Sequence, residues 1–153
     1  MLNKRAIQLK KKLADGEFAA GIWIEIASPM LCEIIAGTGL DWVIVDTEHC
    51  PFNPETLHHI LMAFKGSDTV PIVRVPWNDH VIIKQVLDVG FDGILVPQTN
   101  TADAARKAVQ ACRYPPLGRR GFGPMRVSNY GRDRDEYTKL ANDLVFCVIQ
   151  IEE

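Results

Sequence analysis

The chain has 153 residues, with 17 Lys and Arg against 19 Asp and Glu, for a formal net charge of −2. Hydrophobic residues make up 47% and charged residues 24%, the balance of an ordinary globular protein, and the length suits one core rather than two. Collagen-like, low-complexity and disordered classes are excluded, and with no Lys/Arg cluster there is no footprint for nucleic acid.

The four cysteines, Cys32, Cys50, Cys112 and Cys147, are isolated, with neither a CxxC nor a CxxxH pair. That spacing speaks against a zinc knuckle or a disulfide framework, and reduced thiols in a cytoplasmic protein are the plain reading. The basic, amphipathic segment Met1 to Lys12 lacks the apolar stretch of a signal peptide. No run approaches 18 apolar residues, so no membrane span is expected.

In chain order, a helix is expected over Leu2 to Ala14, followed by short apolar runs at Ala19 to Ile24, Trp42 to Val45, Pro71 to Val75, Gly93 to Val96 and Leu144 to Ile151. Between the runs, apolar residues recur at spacings of three and four: Met30-Leu31 with Ile34-Ile35, Leu57 with Ile60-Leu61 and Phe64, Val81-Ile82 with Val86-Leu87, and Ala104-Ala105 with Val109 and Cys112. Such spacing places them on one helical face. Asn53 and Pro54 read as an N-cap and a first-turn proline, and Gly37, Gly66 and Gly90 fall where helices end on a left-handed residue. The longest interruption, Arg113 to Arg134, is rich in Gly, Pro and Arg.

The runs are apolar throughout rather than alternating, as in parallel strands covered on both faces. Repeated βα units imply a doubly wound sheet or a (β/α)8 barrel. A barrel of about 250 residues spends roughly 31 on each unit. Five strands in this length match that rate, so residues 1–153 are read as one incomplete barrel domain holding about five of eight units behind an N-terminal helix.

Polar residues gather where each run ends: Trp23 and Glu25; Asp46, Glu48 and His49; Arg74; Pro97 and Gln98; Gln150 and Glu152. Barrels assemble active sites from that edge, and buried charge is costly unless it is paired or bound to a metal. His49 is a candidate general base or else a loop histidine, and Asp88 is the candidate carboxylate to orient it. Arg74 offers a bidentate clamp for a carboxylate or enolate, or a structural ion pair. Asp46 and Glu48 are either part of the site or a loop acid pair. Glu152 would suit a hard divalent cation that also takes further oxygens and water, or it is an exposed acid. His58, His59 and His80 fall on helical positions and are expected at the surface. Gly121-Phe122-Gly123 follows a Pro-Pro turn rather than a strand, which argues against a dinucleotide fingerprint. Cys50 stands beside His49, but adjacent residues seldom form a thiol–imidazole pair.

Gly21-Ile22-Trp23, Asp41 to His49, Pro71 to Pro76, Leu87 to Gly90, Leu95-Val96-Pro97, Arg113 to Pro116 with Gly118 and Arg120-Gly121, and Gln150-Ile151-Glu152 together resemble the HpcH/HpaI aldolase family. That family includes 4-hydroxy-2-oxoheptanedioate and 2-dehydro-3-deoxyglucarate aldolases. The resemblance runs in order along essentially the whole chain. It implies a class II pyruvate aldolase on a (β/α)8 barrel, cleaving 4-hydroxy-2-oxo acids to pyruvate and an aldehyde. It implies His49 as a base acting through metal-bound water with Asp88 paired to it, and Arg74 on the pyruvate oxygen. Trp23 and Gln150 complete the expected substrate-binding set.

For the cofactor, the resemblance implies Mg²⁺ or Mn²⁺, with Co²⁺ also suited. Glu152 would be one of two carboxylate ligands and Asp46 would hold metal-bound water. The Arg120-Gly121 loop would border the entrance, and a homo-oligomer is implied. The second metal carboxylate of the family lies on a later strand, so the chain alone is expected to bind metal poorly and to have little aldolase activity. The rival readings are a non-catalytic fragment or interaction module, and a related oxo-acid lyase or decarboxylase.

Overall fold

The computed structural model describes residues 4–152. Helix α1 (Arg5–Ala14) leads into β1 (Gly21–Ile24), α2 (Pro29–Ala36), β2 (Trp42–Asp46), α3 (Pro54–Ala63), β3 (Val70–Arg74), α4 (His80–Val89), β4 (Gly93–Val96), α5 (Ala102–Cys112), α6 (Arg134–Leu144) and β5 (Phe146–Ile149). All strand pairs are parallel, and the order in the sheet is β1-β2-β3-β4-β5. A doubly wound sheet reverses its strand order at a switch point, whereas here each strand pairs with the next. This is the sequential winding of a barrel, present in part.

Alternation along the strands divides the apolar residues into two layers. Val43, Val45, Val73, Ile94 and Val96 face the helices, where they pack with Ile60, Leu61, Ile83, Leu87 and Ala108. Ile44, Val70, Ile72 and Leu95 face the opposite side with Trp42, Phe146 and Val148. The central strands β2, β3 and β4 are buried along nearly their whole length, as the apolar runs predict. Strands β1 and β5 end the sheet and are only partly covered.

The helices after the first four strands begin on a side-chain cap, which satisfies amide donors the helix itself cannot. Ser28 Oγ accepts from Leu31 N at 3.3 Å, Asn53 Oδ1 from Thr56 N at 2.8 Å and Thr101 Oγ1 from Ala104 N at 3.2 Å. Asp79 Oδ1 accepts from both Val81 N and Ile82 N, at 2.8 and 3.0 Å. Asn53 and Pro54 thus cap α3 as expected. Gly66 and Gly90 are left-handed, with φ of 85° and 109°. Gly37 is not: its φ is −89°, and the left-handed turn falls two residues later at Gly39.

Two further departures concern helices. Leu2 and Asn3 of the expected first helix lie outside the described residues, Lys4 is its N-cap, and Arg5–Ala14 form α1. Helix α6 was not expected. Its Tyr137, Ala141 and Leu144 pack on Tyr114 in a small separate cluster, so Leu144 closes a helix instead of opening a strand.

Helix α1 is fastened to the N-terminal edge of the sheet. Leu9 joins the inner layer beside Ile44 and Val70. Arg5, 6% exposed, donates from Nε to Asp92 Oδ2 at 2.5 Å and from Nη1 to the carbonyls of Phe64 and Ser67 at 2.9 and 3.1 Å. Burial pushes the Asp92 carboxyl above its ordinary range despite the Arg5 charge. Removing one partner of such a pair strands the other in low dielectric. Arg5→Ala is therefore expected to destabilise the fold by about 3–5 kcal/mol, read as a lower urea midpoint at unchanged m-value.

Candidate active site at the strand ends

The residues on the inner phase of the strands continue past the apolar layer into polar ones. Asp46 follows Trp42 and Ile44 at intervals of two, Arg74 follows Val70 and Ile72, and Gln150 and Glu152 follow Phe146 and Val148. Asp46 and Arg74 are register partners at the C-terminal ends of β2 and β3. One period-two alternation thus fills the sheet's inner face with hydrocarbon below and with charge at the edge.

Asp46 is the centre of this edge. Its Oδ1 accepts from Arg74 Nε at 2.9 Å and its Oδ2 from Arg74 Nη2 at 2.8 Å, a fork-on-carboxylate pair. Oδ1 also accepts from the backbone amides of Glu48 at 3.0 Å and His49 at 3.4 Å, so the same carboxylate folds the loop after β2. Asp46 is 1% exposed. Burial alone would raise its pKa, but the Arg74 and backbone hydrogen bonds outweigh it and hold the carboxyl below its ordinary range. Arg74 is shifted upward, chiefly by the hydrogen bonds to Asp46. Thr47 closes the junction by donating from both N and Oγ1 to the Arg74 carbonyl, at 3.0 and 2.6 Å.

Around this pair lie the other residues of the edge. The Trp23 ring covers the Arg74 guanidinium at 4.6 Å, a cation–π contact that leaves the indole partly exposed. Glu48 Oε2 lies 3.2 Å from Arg74 Nη1 and 3.9 Å from His49 Nε2. The His49 side chain is 71% exposed. Burial, followed by the Asp46 charge, raises the Cys50 thiol, which keeps it protonated and unsuited as a nucleophile. Of the remaining histidines, His59 and His80 are exposed and His58 is half-buried.

Across the sheet, Glu152 is held by β4's exit turn. Its Oε1 accepts from Gln98 N at 3.1 Å and from Gln150 Nε2 at 2.9 Å, while Glu152 N donates to Asn100 Oδ1 at 3.0 Å. Gln98 has φ of 48°, a left-handed conformation that costs a non-glycine residue of order 1–3 kcal/mol. The strained turn aims its amide at Glu152. Asn100 and this use of the Gln98 backbone were not legible in the sequence, since neither involves a strand-end side chain with chemistry of its own.

Asp88 is elsewhere. It occupies the last turn of α4, and a helix that starts beside the site at His80 has by then run about 12 Å away from it. There its Oδ1 accepts from Arg120 Nη2 at 2.8 Å. The chain therefore does not bring Asp88 to His49 as expected, because the helix is too rigid to return its far end to the strand edge. Arg120 itself is 5% exposed and stacks on Tyr114 at 4.6 Å; Tyr114 contacts Phe122 edge-on, and Arg134 lies over the Phe122 ring at 5.4 Å. This ladder packs the Gly/Pro/Arg loop down against α4 and α6.

Three comparisons with known proteins bear on this arrangement. The family model for HpcH/HpaI aldolase/citrate lyase matches residues 19–153. The chain belongs to this family. Over 145 residues it is 44% identical to a 4-hydroxy-2-oxo-heptane-1,7-dioate aldolase of Shigella flexneri and 42% identical to a hydroxypyruvate/pyruvate aldolase of Roseobacter denitrificans. In each case 94% of this chain is matched, against 54% and 56% of the relative. The crystal structure of an HpcH/HpaI aldolase/citrate lyase family protein from Burkholderia cenocepacia superposes with a TM-score of 0.88 at 32% identity, covering 95% of this chain and 60% of that one. The chain thus spans just over half the length of these HpcH/HpaI relatives, and the superposition agrees with a partial barrel.

A hard divalent cation takes six or more oxygens, several of them carboxylate or water. Among the described residues no three His, Cys, Asp or Glu side chains converge as such a site. Glu152 fits in kind, being an exposed carboxylate at the strand-end edge whose hydrogen bonds to Gln98 and Gln150 engage Oε1, whereas Asp46 is already committed to Arg74. No described helix is long and apolar enough to cross a membrane.

The lowered Asp46 pKa links stability to pH. The pair's contribution is present above the unfolded carboxylate value of about 3.9 and is lost as pH falls through the lower folded value. Asp46→Asn is expected to destabilise most near neutral pH, with its deficit against wild type shrinking below about pH 4. Urea unfolding of both proteins at two pH values checks this.

Proposed function

We propose that this chain carries the base and the enolate clamp of a carbon–carbon lyase, one that cleaves 4-hydroxy-2-oxo acids to pyruvate and an aldehyde. The observation that supports the reading most strongly is the Asp46–Arg74 fork. Asp46 takes Nε and Nη2 of Arg74, which fixes the cation at the strand-end edge with Nη1 beside Glu48 Oε2 at 3.2 Å. A permanently charged, immobile guanidinium suits an oxygen that gains charge during reaction.

The steps follow from where electrons must go. His49 takes the proton of the substrate's C4 hydroxyl. The C3–C4 bond then breaks, C4 leaves as the aldehyde, and the electron pair moves through C3 onto the C2 oxygen as an enolate. Arg74 holds that oxygen and is oriented in advance by Asp46, so little reorganisation accompanies the charge shift. Return of a proton to C3 gives pyruvate. Trp23 would exclude water from one face of the guanidinium, and Gln150 would help to orient the substrate. Glu152 is the described residue that would hold Mg²⁺ or Mn²⁺; when bound, such a cation supplies a second positive charge for the same oxygen. We further propose a small-molecule 2-oxo acid as the ligand, in line with the aldolase names of the relatives, and, on the family resemblance alone, a homo-oligomer as the assembly.

The reading is tested with the whole protein by pyruvate release. Cleavage of a 4-hydroxy-2-oxo acid is expected to stop with EDTA and to return with Mg²⁺ or Mn²⁺; turnover unaffected by chelation would overturn the metal assignment. Arg74→Ala is expected to lower kcat by about 10²–10³-fold, the scale of losing one oxyanion donor. Oxaloacetate separates the two roles, since its decarboxylation yields the same enolate with no hydroxyl to deprotonate. His49→Ala should suppress aldol cleavage by about 10²-fold or more while decarboxylation persists; equal loss of both would show that His49 is not the base.

A further inference from the structure

Past the ends of β4 and β5 the bonding between the two segments changes hands. Val96 and Ile149 are the last register partners, and the Val96 carbonyl accepts from Gln150 N at 3.0 Å. In a regular parallel ladder the next links would join Gln98 N to the Gln150 carbonyl and the Gln98 carbonyl to Glu152 N. Instead Thr99 N donates to the Gln150 carbonyl at 3.0 Å, one residue late, and Glu152 N donates to the side-chain Oδ1 of Asn100 at 3.0 Å. One residue is thus inserted on the β4 side, as in a β-bulge, and the displaced residue is the left-handed Gln98.

The insertion releases the Gln98 amide to the Glu152 carboxylate. Gln98 N and Gln150 Nε2 both donate to Glu152 Oε1, at 3.1 and 2.9 Å. The turn is tied down from both sides: Thr99 is 3% exposed, with Oγ1 in reach of the Val96 and Pro97 carbonyls, and Thr101 caps α5. An exposed glutamate otherwise keeps its rotamer freedom, and a cation that binds it must arrest that motion. Here the Glu152 backbone and one carboxylate oxygen are already held.

We infer that Asn100 is a positioning residue for Glu152: its Oδ1 takes the Glu152 amide in place of the displaced strand carbonyl, and so keeps the carboxylate on the Gln98 amide, preorganised for a divalent cation. The inference rests on the proposed reading of Glu152 as the residue that holds the cation. Asn100 acts through Glu152 and is itself exposed, so its truncation opens no core cavity.

The test uses Mn²⁺ and the whole protein, with binding read from the loss of the electron paramagnetic resonance signal of free Mn²⁺. Glu152→Gln is expected to weaken binding strongly. Asn100→Ala is expected to raise the Kd by about tenfold, the scale of losing a group that orients a metal ligand, with little change in the urea midpoint of the metal-free protein. Asn100→Asp keeps an oxygen for the Glu152 amide and is expected to bind at least as tightly as wild type. In a Glu152→Gln background Asn100→Ala should change the Kd less than about twofold, whereas a merely structural role would weaken binding there too.

A wild-type Kd in Asn100→Ala, or the same loss in the Glu152→Gln background, overturns the inference. Mn²⁺ bound equally well by Glu152→Gln refutes Glu152 as the cation ligand, and the inference with it; a weakened Glu152→Gln beside an unchanged Asn100→Ala refutes the inference alone. Hydrogen exchange of the Glu152 amide in the ¹⁵N-labelled, metal-free protein gives a readout without metal. Exchange is expected to be slowed in wild type and Asn100→Asp and fast in Asn100→Ala. Unprotected exchange in wild type, which needs no variant to fold, also overturns the inference.

Discussion

The bidentate pair between Asp46 and Arg74 is the interaction on which the active edge depends. It joins the ends of two adjacent strands, fixes the orientation of the guanidinium, and turns the chain after β2 by capping the amides of Glu48 and His49. A carboxylate and a guanidinium each lose several kcal/mol of hydration on burial, so either residue alone at this depth would be costly. Together, with the backbone amides as further donors, they form a satisfied network. Such a network is worth more as geometry than as stability: it makes the charge immobile, and immobility is what an electrostatic site needs.

The rest of the architecture serves to keep that pair where it is. Successive β-residues point to opposite faces, so the phase that buries Val43, Val45 and Val73 under the helices necessarily turns Ile44, Asp46, Ile72 and Arg74 to the other side. The side-chain caps at Ser28, Asn53, Asp79 and Thr101 begin helices directly after the strand ends, so short, tied loops replace long mobile ones there. At the opposite edge, Arg5 bridges α1 to Asp92 and to two carbonyls after α3, which closes the bottom of the sheet's inner layer. The Arg5 fastening lies at one edge and the candidate site at the other, the division expected of strands whose C-terminal ends converge on a site.

The barrel-like winding, the five strands and their polar ends were legible because they depend on local pattern. Apolar runs of four to eight residues, helical spacing between them and a charged residue two steps beyond the last buried one can all be read without knowing what lies opposite. Helix α6 escaped because its mean composition is polar and its buried face consists of only a few residues packed on Tyr114. Gly37 misled because two glycines follow α2 closely: Gly37 takes the C-cap position in a right-handed conformation and Gly39, two residues on, the left-handed one.

By itself, then, the amino-acid order determined which residues share the inner phase of the sheet, because alternation is a property of the extended chain and needs no partner. Trp23, Asp46, Arg74, Gln150 and Glu152 follow from it. What only tertiary structure decided is who pairs with whom. That Asp46 takes Arg74, that Glu48 faces His49, that Arg120 claims Asp88 and that the Gln98 amide reaches Glu152 are contacts between segments separated by strand registry, helix length and turn conformation. A helix advances about 1.5 Å per residue away from its capped end, so a carboxylate that sequence places near a histidine can finish a dozen ångströms from it. Distance along the chain carries no record of that direction.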